Sequence, residues 1–348
     1  MKILLPFAWL YSFFIWLRNA AFDSGVLKTT NVGVPVISIG NLTVGGTGKT
    51  PLVEYLVRES LAGGCKVAVV SRGYKRKSSG VVVVSDGKKI LTSAQQGGDE
   101  PVQIAEKFPD AIVVVGEKRV DAAQRAVSLG ASLILADDCF QHRYLHRDVD
   151  IVVIDSTSDI TRDAVLPAGR LREPLHGLRR ANVVAFSKYD ESSSPDLGSK
   201  LRPYFTGSFV RFRYKFAGVN RATDDVTVSF EVVRGMKLVA FSGIGNHNAF
   251  VHDLQKNGFA PISDMRFPDH HTYSEGDLST LTAFTKALAA DGCITTEKDI
   301  VRLRSDKAAA SVLFDETPVF YLRIELEVIA GREVLDSITT NCGKAMLT

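Results

Sequence analysis

Short apolar runs recur along the first part of the chain and alternate with stretches of helical periodicity. The runs are rich in valine and isoleucine and cover residues 34–40, 66–71, 111–115, 132–136, 150–154 and 182–186. The clearest helical patterns cover 51–61, 101–107 and 117–129. Near-continuous apolar strands between helices are typical of a parallel sheet that is buried on both faces. The pattern therefore predicts an α/β fold with a parallel sheet and helices on both of its faces.

The pattern changes beyond a polar segment at 190–200. Alternating apolar and polar residues at 208–216 and 226–233 predict two exposed antiparallel strands. A second α/β set follows, with strands at 237–242, 292–295 and 318–324 and helices at 247–256 and 275–289. We therefore expect a smaller second α/β lobe that is joined through a two-stranded linker. The predicted boundaries are an N-terminal helix at 1–18, a first domain at 19–207, the linker at 208–233 and the second lobe at 234–348.

The N-terminus carries an apolar run. Ile3–Leu17 contains fifteen residues without a charge, fewer than the roughly 20 that a membrane-spanning helix needs. Three interpretations are open: a helix that lies on a membrane surface, a helix that packs on the protein's own core, and a signal peptide. Trp9, Tyr11 and Trp16 are side chains typical of the lipid–water boundary, so we favour contact with a membrane surface.

Composition excludes several classes of protein. The 348 residues are 45% hydrophobic and 23% charged, the balance of a globular protein and not of a disordered chain or a polytopic membrane protein. The net charge of +3 is too small to argue for a nucleic-acid partner. The four cysteines form no C-x-x-C motif, so we expect reduced thiols in a cytosolic compartment. We also expect a monomer.

A glycine-rich loop follows the first predicted strand and precedes a helix. Residues 43–50 read T-V-G-G-T-G-K-T and match the P-loop pattern G-x-x-x-x-G-K-S/T, except that threonine replaces the first glycine. In such a loop, backbone N–H groups and the helix N-terminus bind phosphate, the lysine reaches the β- and γ-phosphates, and the last hydroxyl binds Mg²⁺. The residues expected to bind a nucleotide are Thr43, Val44, Gly45, Gly46, Thr47, Gly48, Lys49 and Thr50. The first domain is therefore predicted to resemble P-loop NTPases.

Acidic residues end two of the predicted strands. Asp137 and Asp138 follow the strand L-I-L-A, where a P-loop enzyme holds its magnesium ion, and Asp155 is a rival at the end of the strand D-I-V-V-I. We prefer the pair because Gln141 and His142 place further polar groups nearby. Only one member of the pair is expected to face the metal, because successive strand residues alternate between faces.

A second acidic turn, G-G-D-E-P, precedes the helix at 101–107. Asp99 and Glu100 in this turn are open to two interpretations. Acidic residues at a helix N-terminus commonly act as caps, whereas a carboxylate beside a phosphate site could also accept a proton as a general base.

Several motifs occur together in one order. They are ISIGNLTVGGTGKTP, VSRGYKR, GGDEP, DDCFQHR, PAGRLREPL, FPDHHTY and TEKD, from about residue 36 to residue 300. This combination resembles the tetraacyldisaccharide 4′-kinase family of lipid A biosynthesis. The resemblance implies ATP-dependent phosphorylation of the 4′-hydroxyl of a tetraacyldisaccharide 1-phosphate to form lipid IVA. It also implies Mg²⁺ and attachment to the cytoplasmic face of the bacterial inner membrane as a peripheral protein.

The resemblance also assigns roles to residues. It implies a catalytic Asp99–His270 dyad that activates the sugar hydroxyl, with Lys49 at the phosphates. The acidic ligands of the metal region correspond to Asp137, Asp138 and Glu100, beside Thr50. Because Asp99 and His270 fall in different predicted lobes, we expect the lobes to close during catalysis.

The implied lipid substrate is anionic and should be bound by arginine, because the guanidinium group matches the geometry of phosphate. Residues in matching motifs that are expected to bind the substrate are Arg72, Arg119, Arg170, Arg172, Glu173, Gln141 and His142. At Arg170 this sequence departs from the family, which often has proline there.

The sequence also admits a different class of function. Residues 187–190 (S-K-Y-D) resemble weakly the N-K-x-D element by which GTPases bind guanine, so the alternative is a membrane-associated P-loop GTPase switch. A switch would not need the acceptor residues Asp99 and His270 or the set of arginines. No chemical step is assigned to residues 296–299 (T-E-K-D).

Overall fold

The computed structural model describes residues 2–340 and residue 342. In chain order the strands are β1 (Val36–Asn41), β2 (Val67–Ser71), β3 (Val82–Asp86), β4 (Ile112–Val115), β5 (Leu133–Asp137), β6 (Val149–Asp155), β7 (Val183–Ser187), β8 (Ser208–Arg221), β9 (Thr227–Val228), β10 (Leu238–Ser242), β11 (Ser263–Arg266), β12 (Gly292–Thr296) and β13 (Val319–Ala330). The α-helices are α1 (Leu5–Asp23), α2 (Lys49–Ala62), α3 (Ala94–Gly97), α4 (Asp99–Lys107), α5 (Arg119–Ser128), α6 (Leu197–Leu201), α7 (Phe230–Arg234), α8 (His247–Lys256), α9 (Glu275–Ala287), α10 (Glu297–Arg304), α11 (Lys307–Phe314) and α12 (Arg332–Thr339). Short 3₁₀ helices cover Lys2–Leu4, Ile160–Arg162 and Leu175–Arg180.

The chain divides into two compact units. The first unit comprises the chain up to Thr92, Ile104–Tyr214 and the chain from Leu326. The second unit comprises Ser93–Gln103 and Lys215–Glu325. The long strands β8 and β13 each begin in one unit and end in the other.

The first unit is built on a mostly parallel sheet. Its strand order is β8-β7-β6-β1-β5-β2-β4-β3, and all neighbours are parallel except β3, which is antiparallel to β4. Every residue of β1, β2, β4 and β7 is buried, which is why these strands are mostly apolar in sequence. The predicted α/β fold is confirmed, and β1 lies between β5 and β6.

The second unit has a smaller parallel sheet. Its strand order is β11-β10-β12-β13, and a core that includes Val239, Phe241, Leu278 and Leu281 packs on it. The antiparallel strands expected at 208–216 and 226–233 are only partly present. The start of β8 is parallel to β7, β9 has two residues and pairs with Val219 and Asn220 of β8, and Phe230–Arg234 forms helix α7.

The division into units differs from the sequence-based boundaries at two places. Residues 93–103 belong to the second unit although the sequence around them reads as part of the first domain. The chain from Leu326 returns to the first unit, where α12 packs on α2. Both differences arise from tertiary contacts between segments that are distant in sequence.

The cysteines differ from the sequence-based expectation. Cys65 and Cys342 form a disulfide across 277 residues of chain, with their Cα atoms 5.5 Å apart. Cys139 and Cys293 are free thiols and are buried. The expectation of reduced thiols is therefore wrong for one pair, because sequence spacing does not reveal which cysteines a fold brings together.

Helix α1 carries many exposed apolar side chains. Trp9 is 71% exposed and Trp16 62% exposed, whereas Ala8 and Phe22 are buried. Within the described residues, the fold contains no helix with enough length and apolar character to cross a membrane.

Candidate active site

The glycine-rich loop of the first unit joins the end of β1 to the start of α2. Gly48 precedes the helix with a φ of +77°, a conformation that glycine adopts without strain. The Tyr214 hydroxyl donates a hydrogen bond to the Gly48 carbonyl over 3.1 Å, and a Cβ on Gly48 would lie 1.5 Å from that hydroxyl. The glycine is therefore required here by backbone conformation and by the contact with Tyr214.

Buried polar side chains hold the same loop in shape. The Asn41 amide donates to the Thr43 carbonyl (2.8 Å) and to the Thr47 hydroxyl (3.1 Å). The Ser187 hydroxyl donates to the Thr47 carbonyl over 2.7 Å. Ser187 thus has a structural contact with the loop, at the position where the sequence resembles a GTPase element.

The P-A-G-R-L-R-E-P segment runs beside the glycine-rich loop. The Val44 amide donates to the Arg170 carbonyl (2.8 Å), and the Arg172 amide donates to the Leu42 carbonyl (2.6 Å). The Arg172 guanidinium donates to both oxygens of Asp138, at 2.9 and 3.0 Å. This places Arg172 at the same edge of the sheet as the loop.

Asp138 joins the two cationic side chains of this edge. The Lys49 Nζ atom lies 3.4 Å from Asp138 Oδ1. Burial raises the pKa of Asp138, but the charges of Lys49 and Arg172 outweigh it, so the pKa lies below its usual range. Asp138 has a φ of +48°, a left-handed conformation that aspartate adopts more readily than most other non-glycine residues.

The oxygen donors for a magnesium ion lie around the same loop. Thr50 is in the first turn of α2, and Asp137 ends β5 in register with Ile39 of β1. Mg²⁺ is commonly bound by one or two protein oxygens together with substrate phosphates and water. Thr50 and Asp137 fit that chemistry, and within residues 2–340 and 342 the structure shows no group of three histidine, cysteine or acidic residues that could hold a metal.

Two other acidic residues proposed for the metal are engaged elsewhere. Glu100 lies in the second unit and forms an ion pair with Lys298. Asp155 accepts a hydrogen bond from Lys188 over 2.6 Å and another from the Thr157 hydroxyl.

The remaining predicted substrate residues lie in different surroundings. Arg72 is exposed, and Arg119 is buried with its Nη1 donating to the Gly116 carbonyl over 2.8 Å. Arg170 pairs with Asp163 of its own loop over 2.7 Å. Burial, together with the charge of Arg119, lowers the pKa of His142 to about 4, so its ring is neutral at pH 7.

Glu173 is fully buried and connects three segments. Its carboxylate accepts hydrogen bonds from Gln141 (3.0 Å) and Arg180 (2.8 Å), and the Asn19 amide of α1 lies 3.5 Å away. The sequence-based role of Glu173 and Gln141 was to bind substrate. Gln141 also donates to the Asn41 carbonyl of β1 over 2.9 Å, so the two side chains connect the P-A-G-R-L-R-E-P segment with β1; their role in substrate binding stays a prediction.

We predict that Glu173→Gln destabilises the protein. Removing one charge from a buried ion pair leaves the other uncompensated, so the free energy of unfolding should fall by about 3 kcal/mol. Urea denaturation followed by circular dichroism measures this loss. The control is Glu316→Gln, which breaks an exposed pair with Lys286 and should change stability little; equal effects of the two substitutions would contradict the prediction.

The second unit brings Asp99 and His270 together. The His270 Nδ1 atom lies 3.0 Å from Asp99 Oδ2, and the two side chains are 17% and 18% exposed. Both residues belong to one compact unit, so their pairing does not need the lobe closure that the sequence-based boundaries implied. His270 has a φ of +62°, which costs conformational energy that its surroundings must offset.

Arg302 is a third member of this group that sequence analysis missed. Its Nε atom donates to Asp99 Oδ2 over 2.6 Å. Burial raises the pKa of Asp99, but the hydrogen bond with His270 and the charge of Arg302 lower it, and the net pKa is below its usual range. One feature of the sequence points to Arg302: it lies four residues after Lys298 of the T-E-K-D motif, and residues four apart share one face of a helix.

A Ser242–His247–Asp264 arrangement also occurs in the second unit. The His247 ring lies 2.7 Å from the Ser242 hydroxyl and 2.8 Å from Asp264 Oδ2. Ser242 is fully buried, so a substrate cannot reach its hydroxyl in this arrangement. The three side chains instead connect β10, α8 and β11.

Comparisons with known proteins identify the family. The family model described as tetraacyldisaccharide-1-P 4′-kinase matches residues 1–342. The chain belongs to this family. The tetraacyldisaccharide 4′-kinase of Chlorobaculum parvum is 39% identical over 339 residues, which cover 96% of this chain and 92% of the relative. That of Chlorobium luteolum is 40% identical over 315 residues, 87% of each chain.

A solved structure of the same family has the same fold. The crystal structure of LpxK from Aquifex aeolicus in complex with ATP matches with a TM-score of 0.76 at 32% identity and covers 96% of each chain. These comparisons confirm the family resemblance that the motifs indicated, and they confirm the predicted fold class. The tetraacyldisaccharide 4′-kinase family acts in lipid A biosynthesis.

Proposed function

We propose that this kinase transfers the γ-phosphoryl group of ATP to the 4′-hydroxyl of a tetraacyldisaccharide 1-phosphate, with Lys49 and Asp99 as its principal catalytic groups. Family membership supports the reaction. The observation that carries the catalytic assignment is the Asp99–His270 hydrogen bond in a chain that also holds a P-loop. A GTPase switch would not need such a pair.

The first unit binds the nucleotide in this proposal. The backbone N–H groups of the glycine-rich loop and the N-terminus of α2 surround the phosphates, and Lys49 stabilises the charge that develops on the transferred group. A magnesium ion, when bound by Thr50 and Asp137, would neutralise negative charge on the phosphates. Asp138 holds Lys49 and Arg172 in place through its two ion pairs.

The second unit supplies the base. The pKa of Asp99 lies below its usual range, so its carboxylate is ionised at neutral pH, and the ionised form is the one that accepts the proton of the sugar hydroxyl. His270 orients the carboxylate through its hydrogen bond. We assign Arg72 and Arg172 to the 1-phosphate of the substrate, because Arg72 is exposed and Arg172 lies beside the glycine-rich loop, whereas Arg170 pairs with Asp163 of its own loop.

A phosphate-transfer assay tests the function directly. Purified enzyme is incubated with ATP labelled in the γ-phosphate, Mg²⁺ and tetraacyldisaccharide 1-phosphate. We expect labelled bisphosphorylated lipid and ADP only when the lipid is present. Steady hydrolysis of GTP without the lipid, and no labelled product, would instead support the GTPase switch.

We further propose that α1 attaches the enzyme to the cytoplasmic face of the inner membrane as a monomer. Its exposed aromatic side chains include Trp9, Phe13 and Trp16, and the Tyr11 hydroxyl on the same helix donates to the Arg172 carbonyl over 3.0 Å. The helix is thus connected to a proposed substrate arginine while much of its apolar surface faces outward.

We predict that the double substitution Trp9→Ser and Trp16→Ser weakens membrane binding. Loss of two exposed indoles removes apolar surface that would be buried in the interface, so binding to anionic phospholipid vesicles should fall roughly tenfold or more. Vesicle flotation measures the bound fraction. Val26→Ser, at a residue that is exposed but lies outside α1, serves as the control; unchanged flotation of the double variant would argue that α1 does not contact the membrane.

A further inference from the structure

We propose that Arg302 is a positioning residue for phosphoryl transfer, which fixes the Asp99 carboxylate in the orientation that accepts the proton of the sugar hydroxyl. This inference rests on the proposed base role of Asp99. It assigns a purpose to the T-E-K-D motif, which begins the helix that carries Arg302.

Helix α10 contacts the start of α4 through two side chains one turn apart. Lys298 forms an ion pair with Glu100, and Arg302 forms an ion pair with Asp99 over 2.6 Å. Residues four apart lie on the same face of a helix, so one face of α10 holds both acidic residues of the G-D-E-P turn. The turn is thereby fixed at two adjacent points.

The guanidinium of Arg302 is bound from several directions. Besides Asp99, it donates to the Gly243 carbonyl over 2.6 Å and to Asp299 over 3.0 Å, and its Nη2 lies 3.4 Å from His270 Nδ1. Arg302 is 6% exposed. A planar guanidinium with its donors engaged at fixed angles has little freedom to rotate, so it defines the position of the carboxylate that it binds.

Asp299 is a second acidic partner of Arg302. It is fully buried and accepts hydrogen bonds from the Gly243 amide (3.0 Å), the Tyr273 hydroxyl (2.9 Å) and the Thr296 hydroxyl (2.6 Å). The Arg302–Asp299 ion pair places a compensated charge in the core of the unit. Arg302 therefore connects the buried Asp299 to Asp99.

This arrangement distinguishes the two oxygens of Asp99. Arg302 and His270 both contact Oδ2, so their bonds fix the rotation of the carboxylate. Oδ1 is then the oxygen that takes the proton of the sugar hydroxyl. At the same time the hydroxyl oxygen forms a bond to the γ-phosphorus, and the bond between the γ-phosphorus and the ADP oxygen breaks. Misplacement of a catalytic group by about 1 Å can cost roughly 10²-fold in rate.

A double-mutant cycle between Arg302 and Asp99 tests this role. Arg302→Met should lower kcat by roughly 10²-fold and leave the KM for ATP unchanged. Arg302→Lys keeps the charge and should recover part of the loss. In the Asp99→Ala background, Arg302→Met should cause no further loss of kcat, because a residue that acts through Asp99 has nothing left to position.

Arg304→Met is the matched control on the same helix. Arg304 pairs with Asp225 instead of the dyad, so its substitution should leave kcat unchanged. Folding is checked by circular dichroism, and if Arg302→Met does not fold, the same cycle is run with Arg302→Lys. Wild-type kcat in a folded Arg302 variant, or an equal loss with and without Asp99, would overturn the inference. If Asp99→Ala itself has wild-type kcat, the proposed base role fails instead.

Discussion

Replacement of Lys49 by alanine is expected to lower kcat by roughly 10³-fold. The Lys49 ammonium lies at the start of α2 beside the glycine-rich loop, where it can offset negative charge that develops on the transferred phosphoryl group. Phosphoryl transfer depends mainly on positioning and on electrostatic stabilisation, so loss of this charge should affect the chemical step strongly. The measurement is the steady-state rate of phosphate transfer to the lipid disaccharide, with ATP binding measured in parallel.

The control for this prediction is Lys66→Ala. Lys66 lies in the same unit immediately before β2, and its side chain is exposed. The control should retain wild-type kcat, which separates the local effect of Lys49 from a general change in net charge. If Lys49→Ala keeps near-normal turnover, the glycine-rich loop is not the site from which phosphate is transferred.

Replacement of Asp99 by alanine is expected to lower kcat by roughly 10²–10⁴-fold, the usual range for the loss of a proton-transfer group. Binding of ATP should be largely preserved, because the proposed phosphate-binding residues belong to the first unit and Asp99 belongs to the second. Asp99→Asn tests the chemistry more narrowly, since the amide has nearly the same shape but does not act as a base. Both variants are compared by single-turnover phosphate transfer and by an ATP-binding titration.

The two adjacent histidines provide the matched control for the dyad. His270→Ala should lower kcat because His270 contacts Asp99. His271 instead lies 3.0 Å from Asp277 and stacks on Phe267, so His271→Ala should leave kcat near the wild-type value. Unchanged kcat in Asp99→Asn would reject the base role, and equal losses at both histidines would argue for a structural effect of this segment.

Much of the fold could be predicted from local patterns. The apolar strands and the glycine-rich loop appear in sequence where the structure has β1, β2, β4–β7 and the start of α2. These features are local, because burial on both faces requires a continuous apolar run and a phosphate loop requires glycine within a few residues. Short elements such as β11 and α12 were missed, since their patterns are too brief to distinguish from loops.

The sequence did not predict which of the site residues lie together in the structure. The sequence placed Asp99 with the first domain, whereas residues 93–103 belong to the second unit together with His270. It did not predict that Glu100, proposed as a metal ligand, forms an ion pair with Lys298. Contacts between residues about 170 to 200 positions apart depend on how the units are assembled, and no local periodicity encodes them.

The sequence by itself determined the family and the α/β class, and it predicted the chemical type of each proposed site residue: a lysine at the phosphates, an acidic residue for the proton and arginines for an anionic lipid. Only the tertiary structure decided that Asp99, His270 and Arg302 form one hydrogen-bonded group, that Glu173 is a buried support, and that Cys65 meets Cys342. The physical reason is that a residue's chemistry is local to its side chain. Its partners, burial and pKa arise from segments that meet only after the chain has folded.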